Sequence, residues 1–240
     1  MPGIAAGHLC IFLAMRQKYF GSYADSLLNL TRKLVLASAS PRRAALLQTL
    51  GIPFVQAPLT DAEPLPQPAD QAHPATFVER LARHKAEHCP VPETLPRPLA
   101  VLAADTIVWH DGKILNKPRD AAEAVQMLRT LRGNCHQVFT GICLKVLSAD
   151  SSSAPLLVEH EITHVYFAPV SDSWVDLYVA GGEPLDKAGA YAAQGRGAAL
   201  VQRIEGDYWN VVGLPLARLA RMLETIEAPL ETWWEKDSAE

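Results

Sequence analysis

Leu34-Val35-Leu36-Ala37-Ser38-Ala39-Ser40-Pro41-Arg42-Arg43, running on to Leu50-Gly51, is the stretch that decides the fold. Leu34 to Ala37 is a short apolar run and reads as a buried strand. Ser40 stands where a helix N-cap belongs and Pro41 where the first helical residue belongs. Leu46, Leu47 and Leu50 give that helix an apolar face, and Gly51 with Pro53 stops it. Strand, tight turn and helix follow one another. Such a turn aims free backbone N–H groups at one spot, with the positive end of the helix dipole behind them. Arg42 and Arg43 sit in the first helical turn, where the dipole disfavours cations. Local rules broken in this way tend to mark sites. The residues read either as two solvated arginines at an ordinary helix start or as an anion pocket. In the second reading Ser38, Ser40, the backbone and one or both arginines meet phosphates.

The 240 residues suffice for one large or two small domains, and 49% hydrophobic residues exclude wholesale disorder. A net charge of −4 argues against a protein that coats nucleic acid, yet leaves room for a small anionic ligand held by local bases. Cys10, Cys89, Cys135 and Cys143 form no C-x-x-C pair, and a reducing cytosol is the simplest setting. The apolar run Ile4 to Met15 is too short to span a bilayer and follows no positive segment, so neither a membrane anchor nor a secretory signal is expected. Residues 1–31 read as an extension, 32–228 as the working domain and 229–240 as a loose polar tail.

Further along, Phe54 to Asp70 is proline-rich and reads as loop, with Glu63 either a solvated acid or a metal-ligating carboxylate. Thr76 to His88 is a helix whose stripe of Phe77, Val78, Leu81 and Ala82 runs into Lys85. That lysine either snorkels to solvent or aims its ammonium into a cleft. Val101 to Trp109 is a strongly apolar strand with Asp105 at its centre. A lone buried carboxylate costs several kcal/mol unless it is paired, bonded or metal-bound, so Asp105 is read as functional. Asp111-Gly112 supplies a hairpin turn that returns Lys117 beside Asp105. Asp120 and Glu123 cap a helix over 121–131. Two long strands follow, 136–147 and 156–167, with Gly141 marking a bulge or a close approach. Ser171 caps another helix. The small residues from Ala188 to Gly197 let a backbone approach a ligand beside Asp186, Lys187 and Gln194. Ala198 to Ile204 and Trp209 to Val212 read as strands, and 216–223 as the last helix. The fold class is α/β with a mixed sheet.

From Leu34 to Ile226 the chain resembles the Maf family of nucleoside triphosphate pyrophosphatases. The resemblance rests on L-A-S-A-S-P-R-R, R-L-A-R-H-K-A, A-A-D-T-I-V, N-K-P-R-D, Q-V-F-T-G, L-D-K-A-G-A-Y-A-A-Q-G and V-V-G-L-P-L, in family order and at family spacing. It implies a long mixed β-sheet with flanking helices and a cleft between two lobes, in a cytoplasmic homodimer. It implies a nucleoside triphosphate diphosphatase that binds neither nucleic acid nor membrane and uses a divalent cation, Mg²⁺ or Mn²⁺. Arg42, Thr106 and Gln194 match the branch acting on dTTP and UTP, whereas the branch acting on 7-methyl-GTP carries S-P-W, S-D-Q and S-E-G. The chain departs from the family at His84 and Ala62, where Glu and Asp are commoner.

The resemblance implies hydrolysis at the α-phosphorus, with Asp105 as general base and Glu63 and Asp105 as metal ligands. Ser38, Arg42, Arg43, Lys85, Lys117, Asp186 and Lys187 are expected around the triphosphate, with Thr106 and Gln194 at the pyrimidine edge. Two other readings compete: a nucleotide-binding regulator of cell division without turnover, and a pyrophosphatase for purine analogues such as inosine triphosphate. A P-loop phosphotransferase is excluded, because no G-x-x-x-x-G-K-[ST] occurs.

Overall fold

The computed structural model describes residues 34–60, 64–148 and 156–234; the expected extension over 1–31 and the loop acid Glu63 lie outside them. The apolar run at its start forms β1 (Leu34–Leu36), fully buried and central in its half of a seven-stranded sheet. β1 is parallel to β2 (Phe54–Gln56) on one side and to β3 (Leu99–His110) on the other. From β3 outward the sheet is antiparallel, through β5 (Cys135–Leu147) and β6 (Leu156–Phe167) to β7 (Val201–Glu205). β4 (Lys113–Leu115) folds back on the end of β3 through Asp111 and Gly112, which take the positive φ angles that this tight hairpin requires. The result is the expected α/β architecture, a mixed sheet with helices packed on it.

The core follows from side-chain alternation. Leu34, Leu36, Ala100, Leu102 and Ala104 face one layer, formed by α1 (Pro41–Thr49) and α6 (Leu216–Thr225). Val35, Ala37, Val101 and Ala103 face the other, covered by α2 (Pro74–Glu87). Because both faces are covered, these strands carry unbroken apolar runs. Burying one leucine fully stabilises by about 2 kcal/mol, so β1 and its partners hold a large share of a domain's net stability. A second apolar cluster lies further along the sheet, where α3 (Ala121–Leu131) and α4 (Asp172–Ala180) pack beside Val138, Val165 and Tyr191. These two clusters are the two lobes.

What positions the site is an interruption between them. β1 pairs with Ala100 to Leu102 of β3, and β4 pairs with Val108 to His110. From Ala103 to Ile107, β3 has β5 on one side and, among the described residues, no strand on the other. Asp105 and Thr106 lie in this gap, and alternation sends one to each face of the sheet.

Several elements differ from the sequence reading. The stretch from Phe54 to Asp70, expected to be loop, contains β2 and a 3₁₀ turn over Pro68–Gln71. Three residues are too few for periodicity to show, and β2 exists because β1 offers it an edge. Trp209 to Val212, expected as a strand, belongs to α5 (Tyr208–Val212), where the Asp207 carboxylate caps the helix by accepting from Trp209 N–H at 2.8 Å. Residues Gly195–Leu200 form 3₁₀ turns before β7 begins. The tail is not loose throughout: α7 (Leu230–Trp234) buries Trp233, whose Nε1 donates to the Ala228 carbonyl at 2.9 Å. Gly141 marks a close approach and not a bulge. It keeps regular register with Asp105 and His160, and a Cβ there would overlap the Val78 carbonyl and stand 2.8 Å from Glu79 N.

Candidate active site

The gap in β3 opens into a cleft of about 720 Å³, a size typical of small-molecule sites. Ser38, Arg42, Arg43, Lys85, Asp105, Thr106, Lys117, Asp186, Lys187 and Gln194 all line it. Ten side chains from six segments of the chain therefore converge, although a sequence gap of more than a hundred residues separates Ser38 from Gln194. Glu63 lies outside the described residues.

On one face of β3, Asp105 meets Lys85. The apolar stripe of α2 places Lys85 over the sheet, and its Nζ stands 2.5 Å from Asp105 Oδ1. Both residues are 8% exposed, so the lysine does not snorkel out to solvent. Its charge offsets the burial of the carboxylate. Asp105 Oδ2 has no hydrogen-bond partner among the described residues, which leaves an oxygen able to take a proton or a cation.

On the other face the helix-opening turn is built around Arg43. Its Nε donates to the Gly213 carbonyl at 2.8 Å, one terminal nitrogen to Ser38 Oγ at 3.0 Å and the other to Thr106 Oγ1 at 3.1 Å. The two arginines, neighbours in the first helical turn, therefore differ. Arg43 is buried and knits together the turn, the strand and the start of α6, whereas Arg42 is half-exposed in the cleft. Ser38 Oγ also accepts from Ser40 N–H at 3.2 Å. With both lone pairs filled, Ser38 has only its proton left to give, which suits an anion. Ser40 caps the helix through Arg43 N–H, as expected.

The third wall is the small-residue stretch after α4. Gly189 holds φ +67 with the Val108 side chain within 2.7 Å of where a Cβ would stand. Its N–H donates to the Asn116 carbonyl at 3.2 Å, tying this wall to the segment that carries Lys117. The β3–β4 ladder ends at Val108–Leu115, short of Lys117, yet the lysine reaches the same cleft as Asp105. Glu183 accepts from Arg196 N–H at 3.1 Å and Gly197 N–H at 3.0 Å, pinning the turn that begins beyond Gln194. Lys187 pairs with the exposed Asp186. Burial works to raise the Asp186 carboxyl, but the hydrogen bond and charge of Lys187, together with the charge of Arg42, outweigh it and hold it below the usual range.

Sequence reasoning passed over Tyr191, Thr140 and Asn210. Tyr191 lines the cleft, and its hydroxyl lies 2.9 Å from Nε2 of the buried His136. Burial, aided by the charge of His110, pushes the His136 pKa down to about 3. An unfolded histidine titrates near 6.5. Between these values the unfolded chain binds the extra proton, so stability from this residue is full above about pH 6.5 and falls as the pH drops. The loss reaches about 2 kcal/mol at pH 5. Urea unfolding at pH 7 and pH 5 checks this: His136→Gln should lack that share of the acid-induced loss. An equal loss in both proteins would show that His136 is not buried in its neutral form.

The sequence profile of Maf-like proteins matches residues 33–226. A dTTP/UTP pyrophosphatase of Symbiobacterium thermophilum is 49% identical over 201 residues, 84% of this chain and 97% of the relative. One from Salinibacter ruber is 47% identical over 86% of this chain and 97% of its own, and one from Bacillus cytotoxicus 43% over 82% and 97%. With its strand-turn-helix motif, its interrupted β3 and its ten converging residues all inside the matched span, the chain belongs to the family of Maf-like proteins.

Proposed function

We propose that the chain hydrolyses dTTP and UTP to the nucleoside monophosphate and diphosphate. The observation that carries the reading is the juxtaposition at the β3 gap: a buried carboxylate in a cleft ringed by Arg42, Lys85, Lys117 and Lys187. Relatives that bear the name dTTP/UTP pyrophosphatase, each matched over 97% of its length, support the substrate. A water oxygen attacks the α-phosphorus, its proton passes to Asp105, and the bond from that phosphorus to the bridging oxygen breaks. Diphosphate leaves with its charge met by the surrounding cations and by the Ser38 proton. Arg42, with its flat fork of donors, suits bidentate contact with phosphate. Thr106 and Gln194 are assigned to the base.

A divalent cation fits this donor set. Among the described residues no group of three or more His, Cys, Asp or Glu side chains could hold a metal alone. Mg²⁺ commonly takes one or two carboxylates and completes its shell with water and substrate phosphates. Asp105, with its open Oδ2, and Glu63 would hold it, and bound there it would supply positive charge to the phosphoryl oxygens. A reducing, cytoplasmic setting belongs to the same proposal and is supported by the unpaired Cys89, Cys135 and Cys143. Among the described residues no helix is long and apolar enough to cross a membrane.

The test is kcat/KM for dTTP, UTP, ATP, GTP and 7-methyl-GTP with Mg²⁺ or Mn²⁺. A site that hydrogen-bonds one base leaves buried polar groups unpaired with another. The pyrimidine pair should lead the purines by about a hundredfold. Equal rates on all five, or a lead for 7-methyl-GTP, would overturn the substrate assignment.

A further inference from the structure

Behind Thr106 a chain of hydrogen bonds runs out of the cleft into the sheet. Arg43 donates to Thr106 Oγ1 at 3.1 Å, Thr106 Oγ1 lies 2.9 Å from Thr140 Oγ1, and Thr140 Oγ1 donates to the Asn210 backbone carbonyl at 3.1 Å. Thr106 and Thr140 are paired across β3 and β5, so the register itself brings the two hydroxyls together. Thr140 and Asn210 are 0% exposed, so solvent does not complete the chain. Asn210 is held in turn by its own amide, which donates to the Val138 carbonyl at 3.1 Å and to Thr163 Oγ1 at 2.9 Å.

The chemistry of the two ends fixes the direction of every proton between them. A guanidinium only donates and a carbonyl only accepts. Thr140 has one proton and gives it to the Asn210 carbonyl. The bond between the two threonines must therefore be donated by Thr106. Thr106 has then spent its proton on Thr140 and one lone pair on Arg43. What it presents to the cleft is a single remaining lone pair. From this we infer that Thr140 is a positioning residue for substrate choice: it commits the Thr106 hydroxyl to accepting a hydrogen bond from the base. Uracil and thymine carry an imide N3–H that satisfies such an acceptor, whereas cytosine has an acceptor at the same ring position. This inference rests on the pyrimidine pyrophosphatase reading and adds to it the direction of the bond and the buried residue that sets it.

Thr140→Val keeps the shape of the side chain and removes the acceptor for the Thr106 proton. That proton is then free to turn into the cleft. The ratio of kcat/KM for CTP to that for UTP should rise by about tenfold or more, the size of one mismatched buried hydrogen bond. The change should lie mainly in KM, since Asp105 is on the opposite face of the strand. Thr140→Ser restores the acceptor and should restore the wild-type ratio, which a loss of packing alone would not explain. The wild-type enzyme gives an independent reading with 3-methyl-UTP, which has a methyl group in place of the imide hydrogen; it should be turned over at least about tenfold less well than UTP. A CTP to UTP ratio unmoved in Thr140→Val would overturn the inference. If that variant does not fold, equal wild-type turnover of 3-methyl-UTP and UTP would overturn it instead. Failure of the wild type to turn over any nucleotide is a separate result, which removes the pyrophosphatase reading and this inference with it.

Discussion

Asp105→Asn should lower kcat on dTTP by at least about a hundredfold, the usual cost of losing a general base. The amide has the same shape and still offers Lys85 an oxygen at the 2.5 Å contact, but it cannot take a proton from water. Circular dichroism should show an unchanged fold, and the melting temperature should fall by a few degrees, because the buried ion pair of Lys85 with Asp105 is lost. Activity is compared well below that temperature. A variant with near-wild-type turnover would show that Asp105 is only the partner of Lys85 and that the base lies elsewhere.

Gly141→Ala should be strongly destabilising, because among the described glycines an added Cβ there would stand nearest to its neighbours. The added Cβ would occupy the space of the Val78 carbonyl, and the backbone of α2 has no rotamer with which to step aside. The helix must move off the sheet, loosening Phe77, Val78 and Leu81 from Ile107 and Phe139. Overpacking typically costs 1–3 kcal/mol, and a clash with rigid backbone belongs at or above the top of that range, about 3 kcal/mol. The usual gain of alanine over glycine in a strand, about 0.5–1 kcal/mol, offsets only part of this. Because α2 also carries Lys85, turnover should fall several-fold even where the variant is still folded. Urea titration measures the first effect and steady-state kinetics the second. Wild-type stability in this variant would mean that α2 does not sit against β5 as described.

The contrast between Gly141 and Thr140 shows what the sequence could and could not reveal. Elements with strong local chemistry were readable: the capped helix after Ser40, the Asp-Gly hairpin, the apolar stripe of α2 and the carboxylate in an apolar strand. Gly141 stood out because glycine in a strand is expensive. Thr140 did not, because a threonine is at home in any strand and its importance comes from Thr106, thirty-four positions away. The interruption of β3 is likewise invisible locally. It arises because β1 stops at Leu36 and β4 starts its pairing at Val108, lengths set by separate parts of the chain. Helix position alone did not separate Arg42 from Arg43; the family resemblance singled out Arg42, and tertiary structure turned Arg43 inward. α5 was misread because Trp209, Val211 and Val212 favour strands, and the Asp207 cap outweighs them. Trp233 was assigned to a loose tail because its burial depends on α6 and the first lobe, not on its polar neighbours.

The central claim is that this cleft directs water to the α-phosphorus of a pyrimidine triphosphate. Phosphorus NMR of dTTP incubated with the full chain and Mg²⁺ in ¹⁸O-labelled water tests it in one spectrum. The account predicts thymidine monophosphate and inorganic diphosphate in equal amounts from the first turnover, with the heavy oxygen on the monophosphate and no free phosphate. Heavy oxygen on the inorganic diphosphate, which signals attack at the β-phosphorus, or thymidine diphosphate with inorganic phosphate, which signals attack at the γ-phosphorus, would contradict it.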